Sequence, residues 1–356
     1  MCSRADDASR PKAAAASVSS SGDGSSWPSW PSWPSWPPAT ASAGATAPSG
    51  AVRRPPALTT LALLVHRLVI GVRRQSRLDG HSTSALVTQH IAAPRGSERK
   101  VALVGDWIRS FHPAPAAGTR LVCFPHAGGS ASAFHALSAA VSGTVDPMVV
   151  QYPGRQERYG EPFAERADDV VDAVLAALSG PSDIRPTALF GHSMGAVLAF
   201  ETARRMTAEG RPPVTLFVSG RQAPSLPWRP AAAERPVHEM SDGELVDEMR
   251  KLSGTANELL SSPDLLPLIL PPVRADYRLL DSHVHRAGPP LGCPVVALTG
   301  DADPRVTVEG ARAWESETRG DFSCHVLPGG HFFLDDHLPY VAEVIASSPA
   351  GRGATA

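Results

Sequence analysis

Two features are scarce in this 356-residue sequence, and each scarcity excludes a class of protein. Only four cysteines occur, Cys2, Cys123, Cys293 and Cys324, and their wide spacing argues against a disulfide scaffold and against a zinc site. Positive charge is not in excess, because 33 basic and 35 acidic residues give a formal net charge of −2, unlike a dedicated nucleic-acid binder. We therefore expect no metal site, no nucleic-acid partner and a location in the reducing cytoplasm.

A third absence concerns long apolar runs. The longest such stretch, residues 57–72, has about 16 residues, fewer than the roughly 20 that a spanning helix needs, and His66 and Arg67 interrupt it. It also begins too far from Met1 for an N-terminal signal peptide. The sequence predicts neither membrane insertion nor secretion.

The N-terminal hundred residues differ in composition from the remainder. Residues 1–56 are rich in Ala, Ser, Pro and Gly, and residues 26–37 repeat the tripeptide S-W-P. Proline at every third position excludes helix and central strand, which leaves polyproline II or disorder. Residues 1–100 carry 12 basic and 5 acidic residues, whereas the rest of the chain carries 21 and 30. We predict a disordered low-complexity extension over 1–100 and a folded domain over 101–356.

The methionine spacing suggests where the functional chain starts. No methionine lies between Met1 and Met148, and a foldable pattern begins only near Val101. We hypothesise that translation starts at or near Val101 and that the upstream residues are a misassigned start.

Strand and helix patterns alternate in the body of the chain, which predicts a mostly parallel central sheet with helices on both faces, an α/β fold. Between two predicted strands, residues 240–285 contain helical patterns at 242–252, 257–260 and 272–283 and no strand. We predict that this insertion, at about 228–290, is a helical lid. The predicted strands are 121–124, 148–152, 187–190, 214–218, 294–298 and 323–326, and the predicted helices between them are 167–178, 196–208 and 308–318.

The sequence G-H-S-M-G at 191–195 lies between a predicted strand and a predicted helix. Glycine is needed at both ends of a G-x-S-x-G turn, because a Cβ there would clash with the neighbouring strand or helix. Such a turn exposes Ser193 at the positive end of the following helix, where negative charge on a reacting oxygen is stabilised. We predict that Ser193 is a nucleophile; the alternative is a plain glycine-rich turn.

A serine nucleophile needs a base and a carboxylate that orients the base. Among 13 histidines, His331 follows the last predicted strand on a glycine pair, so we predict it as the base, whereas His192 should point away from the serine. Asp301 and Asp303 both follow the strand at 294–298. We prefer Asp303 as the acid, partly by analogy, and expect Asp301 to cap the loop.

Acyl transfer also needs hydrogen-bond donors for the developing oxyanion. The backbone amide of Met194, directly after the serine, is one candidate, and the N–H of Ala127 in the glycine-rich loop at 124–130 is the second. This loop carries neither G-K-[ST] nor G-x-G-x-x-G, so we expect no nucleotide and no other organic cofactor.

Several ordered motifs resemble those of the type II thioesterases, stand-alone α/β-hydrolases that serve polyketide synthases and nonribosomal peptide synthetases. The resemblance covers roughly 106–345, and D-W-I-R-S-F-H at 106–112 is similar to the usual opening of such proteins. The motifs are F-P-H-A-G-G-S-A-S at 124–132, Q-Y-P-G-R at 151–155, G-H-S-M-G-A at 191–196, D-x-E-L at 242–245, L-P-P-V-R-A-D at 270–276 and G-G-H-F-F-L at 329–334.

The resemblance implies an α/β-hydrolase fold and a Ser193–Asp303–His331 triad, with the amides of Ala127 and Met194 as oxyanion hole. It implies hydrolysis of acyl thioesters on the phosphopantetheine arm of an acyl or peptidyl carrier protein, as housekeeping that removes aberrant acyl groups, by a monomer. Two alternatives stay open: another esterase or lipase on the same scaffold, and a catalytically inactive binding protein.

Carrier docking is expected to need a local basic cluster. Acyl carrier proteins are usually acidic, and residues 101–356 are themselves acidic overall, so net charge cannot drive the encounter. Arg274, Arg278 and Arg286 in the predicted lid are the candidates, with a plain solvated lid surface as the alternative.

Overall fold

The computed structural model describes residues 107–179, 185–226, 235–252 and 260–352. The predicted extension at 1–100 and the proposed start at Val101 lie outside the described residues. So does the predicted helix at 257–260, except for Leu260.

A seven-stranded sheet organises the described chain, in the order β1-β3-β2-β4-β5-β6-β7. Only the edge pair β1 and β3 is antiparallel; every other neighbouring pair is parallel. Strands β2, β4, β5 and β6 are buried along their whole length, as apolar strands covered on both faces should be. The strands are β1 Ile108–Arg109, β2 Arg120–Phe124, β3 Asp146–Val150, β4 Thr187–His192, β5 Leu216–Ser219, β6 Val295–Gly300 and β7 Phe322–Leu327.

Helices cover both faces of this sheet. Along β4, Leu189 packs into one apolar cluster, while Ala188 and Phe190 pack into a second one on the other side. Helices α2 and α3 contribute to the first cluster, and α1 and α7 contribute to the second. The helices are α1 His135–Val141, α2 Ala167–Leu178, α3 Met194–Ala208, α4 Asp242–Leu252, α5 Leu266–Ser282, α6 Val308–Arg312, α7 Leu338–Ser347 and α8 Pro349–Arg352. The predicted α/β architecture is confirmed.

Helices α4 and α5 form the insertion between β5 and β6. The predicted bounds of α4 agree with the structure, but α5 begins six residues before the predicted start at Pro272. Proline normally ends a helix because it lacks an N–H donor. Here Pro271 and Pro272 lie inside α5. The burial of Ile269 and Leu270 in the core stabilises the turns before them and offsets the cost of the two prolines.

Four of the described elements have no predicted bounds, namely the two-residue strand β1 and helices α1, α7 and α8. The predicted helix at 308–318 is α6 followed by a 3₁₀ helix, Ala313–Glu317. Within the described ranges, no helix has both the length and the apolar character needed to cross a membrane.

Candidate active site

Ser193 is the single residue that joins β4 to α3, and its backbone is strained. Its φ of 56° and ψ of −113° lie where non-glycine residues are rare. The neighbouring glycines permit the turn: a Cβ on Gly191 would lie 2.1 Å from the carbonyl oxygen of Gly195, and one on Gly195 would lie 1.8 Å from that of Phe124. The turn therefore has the tight geometry that the G-x-S-x-G pattern predicts.

A chain of hydrogen bonds joins the three predicted catalytic side chains. Nε2 of His331 is 3.0 Å from Oγ of Ser193, and Nδ1 of His331 is 2.8 Å from Oδ2 of Asp303. The side chains of His331 and Asp303 are almost completely buried. The structure brings together the three residues in the order serine, imidazole, carboxylate that a hydrolase needs.

The loops after β6 and β7 meet at the carboxyl edge of the sheet. A Cβ on Gly300, the last residue of β6, would lie 2.3 Å from the carbonyl oxygen of Gly329, so the two loops are in direct contact. Asp303 accepts a second hydrogen bond, at 2.8 Å, from the N–H of Arg305 in its own loop. Exposed Asp301 instead accepts the N–H of Gly329 at 2.9 Å, so it holds the loop that carries His331.

The two predicted oxyanion donors flank the serine turn. Met194 is the first residue of α3, and Ala127 lies in the loop that follows β2. The close approach of Gly195 to the carbonyl oxygens of Phe124 and Pro125 places this loop against the start of α3. Among the described residues, neither the Ala127 nor the Met194 N–H donates a hydrogen bond, so both can donate to a bound ligand.

Two further histidines, His126 and His192, lie near His331, and the pKa of each is lowered so that the neutral imidazole is favoured. His192 bonds Ser219 rather than Ser193, with Nδ1 3.0 Å from Ser219 Oγ. Burial, and then the nearby His331 and His126, lower the pKa of His192 well below its ordinary value. Burial, His331 and Arg155 lower the pKa of His126 to about 4. Because His126 and His192 are neutral, neither places a positive imidazolium beside His331 when His331 accepts a proton.

Arg155 and Asp276, for which the sequence predicted no role, form a buried ion pair that contacts the loop at 125–129. Arg155 donates two hydrogen bonds to the Asp276 carboxylate, at 2.6 and 2.8 Å. The available signal was a charge at a core position, because Asp276 lies within the apolar pattern of α5 between buried Val273 and Leu280.

The three arginines proposed for docking have different environments. Arg274 donates to the carbonyl oxygens of His238 and Met240 and to the carboxylate of Asp242, so it fixes the segment that precedes α4. Arg278 and Arg286 are exposed. Only these two remain available to a partner protein. No cluster of three or more metal-ligating side chains occurs within the described parts of the chain.

The fold and the site together define a class of protein. A mostly parallel sheet, a serine on a strand-to-helix turn and partners in the chain order serine, aspartate, histidine are the features of an α/β-hydrolase.

The family model of the thioesterase domain matches residues 119–348, and the chain belongs to this family. Thioesterase PikA5 of Streptomyces venezuelae is 45% identical over 233 residues, which cover 65% of this chain and 81% of that protein. Gramicidin S biosynthesis protein GrsT of Aneurinibacillus migulanus is 35% identical over 235 residues, which cover 66% and 90%. The type II thioesterase BorB from the borrelidin biosynthetic cluster is a solved structure with a TM-score of 0.62 and 43% identity, covering 70% of this chain and 98% of that one. The resemblance to type II thioesterases is confirmed, and the protein is a thioester hydrolase.

Proposed function

We propose that the enzyme hydrolyses acyl thioesters carried on the phosphopantetheine arm of acyl or peptidyl carrier proteins, and that it removes aberrant acyl groups during polyketide or nonribosomal peptide synthesis. The observation that carries the proposal is the hydrogen-bonded chain from Ser193 through His331 to Asp303. The relatives support the substrate class: BorB is described as a type II thioesterase of a biosynthetic cluster, and GrsT as a gramicidin S biosynthesis protein.

In the proposed first half-reaction, Ser193 Oγ attacks the thioester carbonyl carbon while His331 Nε2 accepts the hydroxyl proton. The Asp303 carboxylate stabilises the imidazolium that forms. The N–H groups of Ala127 and Met194 donate to the negative carbonyl oxygen of the tetrahedral intermediate. The C–S bond then breaks, the imidazolium returns its proton to the leaving sulfur, and the acyl group stays on Ser193 as an ester.

In the second half-reaction, water replaces the serine. His331 takes a proton from the water as it attacks the acyl-serine ester, and the same two amides stabilise the second intermediate. Collapse breaks the bond to Ser193 Oγ, which regains a proton from His331. The products are a free carboxylic acid and a carrier with a free thiol, and no metal ion or organic cofactor takes part.

The insertion at about 228–290 is proposed to act as the lid over the acyl chain. Its helices α4 and α5 are ion-paired to the loops at the carboxyl edge of the sheet, where the reaction would occur. A cytoplasmic location and a monomeric state are proposed with it; the free thiols of Cys123 and Cys293 support the location.

Replacement of Ser193 by Ala tests the proposal. We expect hydrolysis of an acyl carrier protein thioester, followed by mass spectrometry of the carrier, to fall by several orders of magnitude because a triad acts as a unit. Circular dichroism should be unchanged. A variant that keeps more than about a tenth of the rate would exclude Ser193 as nucleophile. A wild-type enzyme that prefers simple p-nitrophenyl esters to the carrier substrate would favour an esterase.

A further inference from the structure

We call residues 125–129 the oxyanion loop. Side chains from two other segments of the chain form hydrogen bonds with its backbone. Tyr152 and Arg155, after β3, donate to the carbonyl oxygens of Pro125 and Gly129, at 3.0 Å each. Asp276 of α5 accepts the N–H of Gly128 through Oδ2, at 2.7 Å. Gly128 has a φ of 75°, and a Cβ on it would lie 2.4 Å from Cγ2 of Val273 in α5.

The ion pair between Arg155 and Asp276 connects the two segments that bind the oxyanion loop. The guanidinium donates through Nη1 both to Asp276 and to the Gly129 carbonyl, and through Nη2 to Asp276. The side chains are 6% and 5% exposed, so the pair is largely shielded from solvent and these charge-assisted hydrogen bonds restrain the carboxylate. Of the loop residues, Gly128 and Gly129 directly follow Ala127, whose N–H is the proposed oxyanion donor.

We propose that Arg155 and Asp276 are positioning residues, which together fix the oxyanion loop so that the Ala127 N–H points at the reacting carbonyl and which tie this geometry to lid helix α5. The inference rests on the proposed function. Without the Asp276 carboxylate, the Gly128 N–H loses its acceptor, and a glycine at positive φ has no side chain to resist rotation of the neighbouring peptide. The loop and α5 therefore form one unit, so displacement of α5 would disturb the oxyanion hole.

Two substitutions disturb the pair in different ways. Asp276→Asn keeps the size of the side chain but removes its charge and puts an NH₂ group, which accepts no hydrogen bond, in place of one carboxylate oxygen. Whichever oxygen is replaced, at least one of the three bonds from Gly128 and Arg155 is lost and an N–H donor faces the NH₂ group. Arg155→Lys keeps the charge but loses the planar fork that bonds Asp276 twice. Glu161→Gln is the matched control, because it removes the charge partner of buried Arg158 in the same segment without contact to the loop.

The experiment measures kcat and KM on a small soluble thioester, an acyl-N-acetylcysteamine, at a temperature well below each variant's Tm. We expect Asp276→Asn to lower kcat by about 10- to 100-fold with little change in KM, since the loss of a single oxyanion donor costs about 10²- to 10³-fold. Binding of an alkyl boronic acid, which mimics the tetrahedral intermediate, should weaken by a similar factor. Arg155→Lys should show a smaller loss of the same kind, and Glu161→Gln should match the wild type.

Two results would overturn this role. Unchanged kcat and boronate affinity in folded Asp276→Asn and Arg155→Lys would leave the pair as a stabilising contact only, even with a lower Tm. A kcat loss in Glu161→Gln equal to that of the two variants would assign the effect to general disturbance of the segment. If Asp276→Asn does not fold, Arg155→Lys decides between the same outcomes. A wild-type enzyme without thioesterase activity would instead contradict the proposed function itself.

Discussion

Ser193, the proposed nucleophile, has an unfavourable backbone conformation. A residue held in a sparsely populated φ/ψ region costs on the order of 1–3 kcal/mol. Gly191 packs closely against the carbonyl group of Gly195, and Gly195 packs against that of Phe124. These contacts keep the turn in its conformation. The strain places Oγ within 3.0 Å of the base, at the start of a helix whose first amides are free to donate.

The division of labour between Asp301 and Asp303 is testable at single residues. Asp303→Asn should lower kcat by about 10⁴-fold, because the residue bonded to Nδ1 fixes the tautomer of His331 and stabilises its charged form. Asp301→Asn should lower kcat much less, since the Asp301 carboxylate bonds the Gly329 amide of the loop rather than the imidazole. Steady-state kinetics on an acyl carrier substrate would compare them. The reverse order would move the catalytic acid to Asp301.

The neutral histidines beside the base make stability depend on pH. His126 has a pKa of about 4 in the folded protein and an ordinary value near 6.5 when unfolded, so the unfolded chain binds more protons between these values. The contribution of neutral His126 to the free energy of unfolding is therefore fully present above about pH 6.5 and is lost as the pH falls toward 4. His192 adds to this loss, since its pKa is also lowered.

Urea unfolding at a series of pH values measures this effect. The wild type should lose at least about 1.4 kcal/mol more than His126→Gln between pH 7.5 and 4.5, because each unit of pKa depression is worth about that amount. Parallel pH dependence of the free energy of unfolding in the two proteins would show that the His126 imidazole is not held neutral by the fold.

Each of the two described helices of the insertion contacts one loop of the proposed active site. Glu248 of α4 forms an ion pair with Arg305, whose backbone N–H also bonds Asp303. Asp276 of α5 bonds the oxyanion loop through Gly128. The loop that carries Asp303 and the oxyanion loop are thus attached to different helices of the same insertion, so the position of the insertion affects both loops.

The insertion also has exposed arginines that can meet a carrier. With Arg278→Glu and Arg286→Glu we expect a KM for acyl carrier protein several-fold higher and unchanged kinetics on acyl-N-acetylcysteamine, because long-range attraction affects only the charged protein substrate. Arg274→Glu should impair both substrates, since it breaks the contacts with His238, Met240 and Asp242. Equal losses on both substrates for Arg278→Glu would exclude a docking role.

Local patterns account for what the sequence could predict about the elements and the site. Helices α2 and α4 have the predicted bounds because their apolar spacing is regular, and Ser193, Asp303 and His331 follow strand ends that the pattern locates. Strand β1 has only two residues, too few for a period. Arg155 and Asp276 are 121 residues apart, so no local pattern reveals that they pair; only the folded arrangement of β3 and α5 does.

At the scale of the whole molecule, the proposed catalytic residues all belong to one region of the chain. The family match, residues 119–348, contains β2 to β7, the proposed triad and both proposed oxyanion donors. BorB, which corresponds to 70% of this chain, is covered over 98% of its own length. We propose a division into an extension at 1–100 and a catalytic domain at 101–356. If this division holds, the N-terminal hundred residues are dispensable for catalysis.

A chain that begins at Val101 tests this division. We expect its kcat/KM on acyl carrier protein to stay within about twofold of the full chain, because the composition of residues 1–100 predicts an extension outside the catalytic domain. Its Tm should differ by no more than a few degrees, since a loss of about 1 kcal/mol shifts the Tm of a domain of this size by roughly 2–4 °C. A tenfold loss of kcat/KM on the carrier but not on acyl-N-acetylcysteamine would instead assign residues 1–100 to carrier recognition. A large fall in Tm would make them part of the folded domain.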